Sequence, residues 1–214
     1  MVKAAQRVLG GLLVLTVAAC TRQVDGVAAL PYTETPGPEV ILAVDADDVM
    51  IDLPGMRGIT GGGDQLHVIP SMDSTTPTDI DLLAKDAPAS CRFLFAETTT
   101  FGADVADFHK ITYQDLSVGG QISQGAAVYR APADARHALT SLSALAQDCA
   151  QTSFGQIFVG TVTGDAESMR IRPGGDCGRD YRLKSAVLAE VTFCAFGDSV
   201  PEIVMTNLMN KVPG

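Results

Sequence analysis

SAVLAEVTFCAF, residues 185–196, is the stretch on which the fold turns. In an extended chain, where side chains alternate with a period of two, Val187, Ala189, Val191, Phe193 and Ala195 line one face. The other face carries Leu188, Glu190, Thr192, Cys194 and Phe196 and is only half polar. A sheet open to water on one side alternates cleanly between apolar and polar. One face wholly apolar and the other partly so implies a sheet with helices packed on it.

Upstream, ISQGAAVYRA (122–131) reads as another strand, feeding into Pro132, a favoured first residue of a helix. The helix that follows is the clearest element in the chain. Ala135, Ala138, Leu139, Leu142, Leu145, Ala146 and Cys149 recur at steps of three and four and form one apolar stripe. CRFLFAETTTFG (91–102) and FHKITYQDLS (108–117) each read as partly extended, and FGQIFVGTV (154–162) and SMRIR (168–172) are further strand candidates. DSVPEIVMTNLMNKV (198–212) reads as a closing helix, capped by Asp198 or Ser199, with Ile203, Leu208 and Val212 buried. VDADDVMIDLPG (44–55) suggests a short helix capped by Asp45 and stopped at Pro54-Gly55; residues 58–78 read as loop, and Asp79 starts another helix leading to Cys91.

The N-terminus gives an address. Lys3 and Arg7 precede an uncharged apolar run, Val8 to Ala19, too short for a bilayer core of ~30 Å and of the right length for a secretory leader. Val17-Ala18-Ala19-Cys20 resembles the lipobox of bacterial lipoproteins, with Cys20 the thiol that takes the diacylglyceryl group. The plainer alternative is an ordinary leader with a chance cysteine. Residues 20–38, containing LPYTETPGPE, then read as a Pro-rich tether, and 39–214 as the folded domain. Anchoring would be at the extracytoplasmic face of the cell membrane, through two or more acyl chains.

Composition excludes some partners. Formal net charge is −10, and losing Lys3 and Arg7 with the leader takes it to −12. A chain this acidic repels nucleic acid and anionic headgroups. Beyond Cys20 four cysteines remain: Cys91, Cys149, Cys177 and Cys194. In an oxidising compartment they favour disulfides over metal binding, with three pairings open. The favoured one is local. A hairpin turning at Ser185-Ala186 sets Cys177 opposite Cys194, which leaves Cys91–Cys149 to tie two helix ends together.

These features resemble a family: the extracellular sensor domain of the receptor kinase PknH, which also occurs free-standing in exported mycobacterial lipoproteins. The resemblance spans roughly residues 39–214. It rests on the four cysteines in order, on AAVYRAPADARHALTSLSALAQDC (126–149), on CGRDYRLKSAVLAEVTFC (177–194) and on IVMTNLMNKV (203–212). It implies an α/β (α+β) domain with an antiparallel-rich sheet, packed helices, two disulfides and a solvent-exposed cleft. It also implies a ligand-sensing role without catalytic residues or cofactor.

The residues carry little catalytic chemistry of their own. Gly61-Gly62-Gly63 lacks the G-K-[ST] of a phosphate loop, and the acidic cluster at 45–48 lacks calcium-loop spacing. His67, His109 and His137 make no metal pair. A hydrolase could use Ser123 with His109 and nearby Asp104 or Asp107, although GQISQG misses the nucleophile-elbow spacing. The sharper candidate is SMRIRPGGDCGRDYR (168–182). There Arg170 and Arg172 share a strand face, and Arg179 follows; guanidinium forks suit a phosphate or carboxylate. The expected function is therefore an envelope-anchored lipoprotein whose non-catalytic domain binds a small molecule, lipid or cell-envelope component. A protein–protein adaptor at the envelope is the alternative.

Overall fold

The computed structural model describes residues 44–213. The expected leader, Cys20 and the tether lie outside those residues. The alternating segment becomes β7 (Val187–Cys194), the middle strand of a seven-stranded antiparallel sheet. The strand order is β1 (Leu66–Ser74), β2 (Val105–Asp115), β3 (Gly120–Tyr129), β7, β6 (Cys177–Lys184), β5 (Ser168–Gly174) and β4 (Thr161–Gly164). Among the described residues seven helices accompany it: α1 (Ala46–Val49), α2 (Leu53–Thr60), α3 (Asp81–Asp86), α4 (Glu97–Phe101), α5 (Pro132–Ala150), α6 (Ser153–Phe158) and α7 (Ser199–Lys211).

The two faces of β7 go to two cores, as its pattern requires. Val187, Ala189, Val191 and Phe193 pack with Val204, Met205 and Leu208 of α7 and with Val49 and Met56 beneath α1 and α2. Leu188 points the other way, into a core with Leu183 and with Leu139, Leu142 and Ala146 from the stripe of α5. Each fully buried aliphatic side chain contributes about 1.5–3 kcal/mol, so the pattern of β7 fixes both layers at once.

The cysteines pair as Cys91–Cys149 and Cys177–Cys194. Cys177 and Cys194 sit directly opposite each other across β6 and β7, and Lys184 faces Val187 on either side of the two-residue turn. The first bridge closes 58 residues and the second 17. By loop entropy they contribute about 4 and about 3 kcal/mol.

Several expectations needed correction. Pro54 and Gly55 do not stop a helix: α1 ends at Val49, and Pro54 lies in the first turn of α2, where its missing N–H costs nothing. Residues 66–74, expected as loop, form the edge strand β1. Asp79 does not cap α3, which begins after Ile80; its carboxylate instead accepts from the N–H and hydroxyl of Thr98. Residues 91–101, expected as partly extended, form a 3-10 turn (Ala89–Leu94) followed by α4. In 154–162 the first half is α6, capped by Thr152, and only the end is strand. Gly155 permits that helix. A Cβ there would lie 1.8 Å from the carbonyl oxygen of Cys149. On α7, Leu208 and Val212 are buried, but Ile203 is exposed.

Candidate functional site

α5 covers only part of its side of the sheet, and the side chains beyond its cover change character row by row. Phe108, Ala127, Leu188 and Leu183 form one row across β2, β3, β7 and β6, and all are buried in the α5 core. Two residues along each strand, the row is Lys110, Gly125, Glu190 and Tyr181. The next is Thr112, Ser123, Thr192 and Arg179. Because strand side chains alternate, both polar rows project to the same side as the apolar one. They form the floor of a cleft of about 310 Å³, a volume at the small end for ligand pockets.

The walls come from chain that bends away from regular structure. Phe93, Leu94, Phe95 and Ala96, in and just after the 3-10 turn, line one side. The Cys91–Cys149 bridge fixes that turn to the end of α5. On the other side β1 bulges. Val68 faces Tyr113 and Asp73 faces Ile111, so 69–72 stand opposite Thr112 alone. Bulges of this kind re-aim side chains beside sites, and this one sets Ser71 and Met72 on the cleft. Pro70 within it also blunts an exposed sheet edge.

The floor carries charges that are paired with one another. Lys110 Nζ lies 2.9 Å from Glu97 Oε1 and 3.0 Å from Glu190 Oε2. It can reach Glu190 because Gly125, between them in the row, has no side chain: a Cβ there would touch the Lys110 methylenes at 3.5–3.6 Å. Glu190 Oε1 accepts from the Thr192 hydroxyl at 2.8 Å and the Tyr181 hydroxyl at 3.3 Å, with Arg179 Nη1 at 3.7 Å. Arg179 Nη2 donates to the Leu94 carbonyl at 3.0 Å, tying floor to wall. Glu97 Oε2 accepts from Thr78 N–H at 2.8 Å.

Burial alone would raise the pKa of Glu190, but Lys110, Arg179 and the Thr192 hydroxyl overcome it and hold the carboxylate below its ordinary range. Burial likewise works against the Lys110 ammonium, yet Glu190 and Glu97 keep its pKa above the usual lysine value. Tyr181 is pushed up by burial and by Glu190, so it stays a neutral donor. The floor thus favours an ionised Glu190, a charged Lys110 and a neutral Tyr181 hydroxyl.

The three sequence-flagged arginines do not form one site. Arg179 faces the cleft, whereas Arg170 and Arg172 project from the opposite side of the sheet toward α7. There Arg172 forks onto Asp180 at 2.5 and 3.2 Å and also approaches Asp198. Arg170 and Arg182 both bind Glu202. Their charges are answered by carboxylates of this chain. The hydrolase arrangement also fails on geometry. Ser123 bonds Thr112 at 2.9 Å on the cleft side, while His109 is on the α1 side, its Nε2 2.9 Å from Asp73 and its Nδ1 2.5 Å from Asp47. Asp107 is spent on the N–H groups of Ala46 and Phe108. His67 and His137 are exposed.

Sequence reasoning passed over Lys110, Glu190, Thr192 and Glu97. Glu190 had a signal: a lone carboxylate inside an otherwise apolar strand must find partners or stay out of the core. Glu97 had none, because its helix was not anticipated.

No curated protein matches the sequence. The fold matches the crystal structure of the extracellular domain of PknH from Mycobacterium tuberculosis, with a TM-score of 0.58 at 9% identity, covering 80% of this chain and 97% of that one. A family model, the PknH-like extracellular domain, matches residues 43–211. The chain belongs to the PknH-like extracellular domain family.

Proposed function

We propose that this sensor-like extracellular domain binds a small molecule, lipid or cell-envelope component in the cleft over β2, β3, β7 and β6, held at the envelope by a lipidated Cys20 and without catalysing a reaction. The observation that carries this reading is the floor. Four charged side chains are organised in a cavity where apolar residues would have packed more simply, and their partners are met within the chain. Buried charges of this kind add little stability, so their arrangement is better accounted for by recognition. Among the described residues no helix is long and apolar enough to cross a membrane, and the proposed lipid supplies the attachment.

The test is native mass spectrometry of the protein purified from its own envelope, beside a Ser71→Trp variant that plugs the cleft mouth from an exposed position. A discrete co-purifying mass present in the unaltered protein and absent from the variant is expected. The same mass on both proteins would contradict the reading. Intact mass of the same sample reads Cys20 acylation.

One feature favours the adaptor alternative. Ile157 and Phe158, at the end of α6, are 66% and 49% exposed. An envelope protein lost from Ile157→Asp or Phe158→Asp, and kept by Ser71→Trp, would support it.

A further inference from the structure

Resting on the cleft reading, we infer that the ligand is an uncharged amphiphile: a head rich in oxygen acceptors and free of net charge, joined to a hydrocarbon segment. The two halves of that description come from different atoms.

The head is specified by what the floor has left to give. Its carboxylates are occupied. Glu190 takes Lys110, Thr192 and Tyr181, and Glu97 takes Lys110 and Thr78. Donors remain. Among the described residues Lys110 has two carboxylate partners for three N–H bonds. Arg179, with five N–H bonds, donates one to Leu94 and stands 3.7 Å from Glu190. In the Thr112–Ser123 pair, whichever hydroxyl donates, the other keeps its hydrogen. With Glu190 accepting three hydrogen bonds and Glu97 two, and with N–H bonds of Lys110 and Arg179 left over, the floor offers chiefly donors, which suit carbonyl, ether or hydroxyl oxygens.

Charge is excluded by balance. Among the residues lining the cleft the ionised groups are Lys110, Arg179, Glu97 and Glu190, two of each sign and already paired. A ligand bringing a whole charge would place it, uncompensated, beside groups drawn out of water, and that is costly. A neutral acceptor incurs no such cost.

The hydrocarbon segment is specified by the mouth. Phe93, Leu94 and Phe95 make the inner wall apolar. Outward of them Met72 and Ile80 line the cleft while remaining 43% and 53% exposed. Ile80 leads directly into α3, whose Leu82 and Leu83 are 77% and 49% exposed. The apolar surface thus continues from the cavity to the outside, so a chain longer than the cavity can follow it.

The probes are monolauroylglycerol, laurate, dodecyltrimethylammonium and glycerol, each below its micelle concentration, titrated by calorimetry against the disulfide-intact domain at neutral pH. Monolauroylglycerol is expected to bind one to one. Laurate, dodecyltrimethylammonium and glycerol should each bind at least about tenfold more weakly. Ser71→Trp and Met72→Asp, both at exposed positions, should weaken monolauroylglycerol by a similar factor while circular dichroism stays unchanged. If laurate or the cationic amphiphile binds as tightly and Ser71→Trp blocks it, neutrality is overturned and the cleft reading stands. Glycerol binding equally well would overturn the requirement for hydrocarbon in the same way. No binding by any of the four overturns the amphiphile inference, and the co-purification experiment then decides the cleft reading separately. Monolauroylglycerol binding unaffected by either variant overturns both.

Discussion

The two sides of the central sheet use the same residue types to opposite ends. On the α7 side, Arg170 and Arg172 meet Asp180, Asp198 and Glu202 in an open hollow of about 480 Å³ at the margin of the core, where Arg182 also reaches Glu202. On the α5 side, Lys110 and Arg179 meet Glu97 and Glu190 on the floor of a cavity. The difference lies in where the covering helix stops. α7 lays Val204, Met205 and Leu208 over the strands, and its ion pairs sit at the margin in partial contact with water. α5 stops short, and the strands beyond it present a charged and a hydroxylated row under a wall made of 3-10 turn. Two of the arginines that look functional in the sequence, Arg170 and Arg172, are thus paired with carboxylates away from the cleft, Arg179 lies on its floor, and a glutamate that looks like a misplaced strand residue lies beside it.

The largest expected effect tests whether the cleft charges are interdependent. Glu190→Ala leaves Lys110 and Arg179 without their shared partner in a buried place, and should cost about 3–5 kcal/mol in urea unfolding. A cost under 1 kcal/mol would mean that the row is as solvated as the α7 side.

Gly125 gives a second, smaller lever. Gly125→Ala puts a methyl at ordinary contact distance from Lys110 and should change unfolding little. Gly125→Val displaces the lysine from Glu190 and should cost about 1–3 kcal/mol by overpacking. Equal stability of the two variants would remove Gly125 as the gap that lets Lys110 cross.

The third effect is on pH. Glu190 has its folded pKa below the unfolded value, so its stabilisation is complete above the unfolded pKa and lost as pH falls through the lower, folded one. Lys110 has its folded pKa raised, so its stabilisation is complete below the unfolded pKa of 10.5 and lost as pH climbs through the higher one. On the α7 side Tyr113, buried and pushed up to about 12, adds to the alkaline loss. Asp115 and Asp165, held low by hydrogen bonds outside the cleft, share the acid limb, so the part due to Glu190 is read by difference. In Glu190→Gln the acid limb should flatten relative to the unaltered protein, as read by thermal unfolding at a series of pH values. An unchanged slope would take Glu190 out of the acid response.

Smallest is the control on the other side. Glu202→Ala releases Arg170 and Arg182 into water and should cost about 0.2–1 kcal/mol. A loss as large as that of Glu190→Ala would erase the contrast between the two sides.

Much of the architecture was legible because periodicity reports burial directly. The alternation over 187–193 and the stripe of 135–149 place their apolar residues in the observed cores, but the alternation fails at its end: Ala195, at a φ of 60°, is exposed, and Phe196 joins the α7-side core instead of the opposite face. The hairpin geometry also led to the Cys177–Cys194 pair. Elements whose stability comes from tertiary contacts were not legible. β1 has a bulge and a proline that break its alternation, and the 91–101 segment is short, rich in threonine and phenylalanine, and held by a disulfide. Those two segments are the walls of the cleft. The site was hidden for that reason: its floor is written in regular strands, but its existence depends on irregular chain.

The most direct test of the central claim is a methyl NMR titration with monolauroylglycerol on protein labelled at methionine, isoleucine and threonine. Met72, Ile80 and Thr192 should shift together and saturate at one equivalent, while Ile203, Met205 and Met209 of α7 stay still. Shifts centred on α7, or none at Thr192 on the floor, would contradict the assignment of the cleft as the binding face.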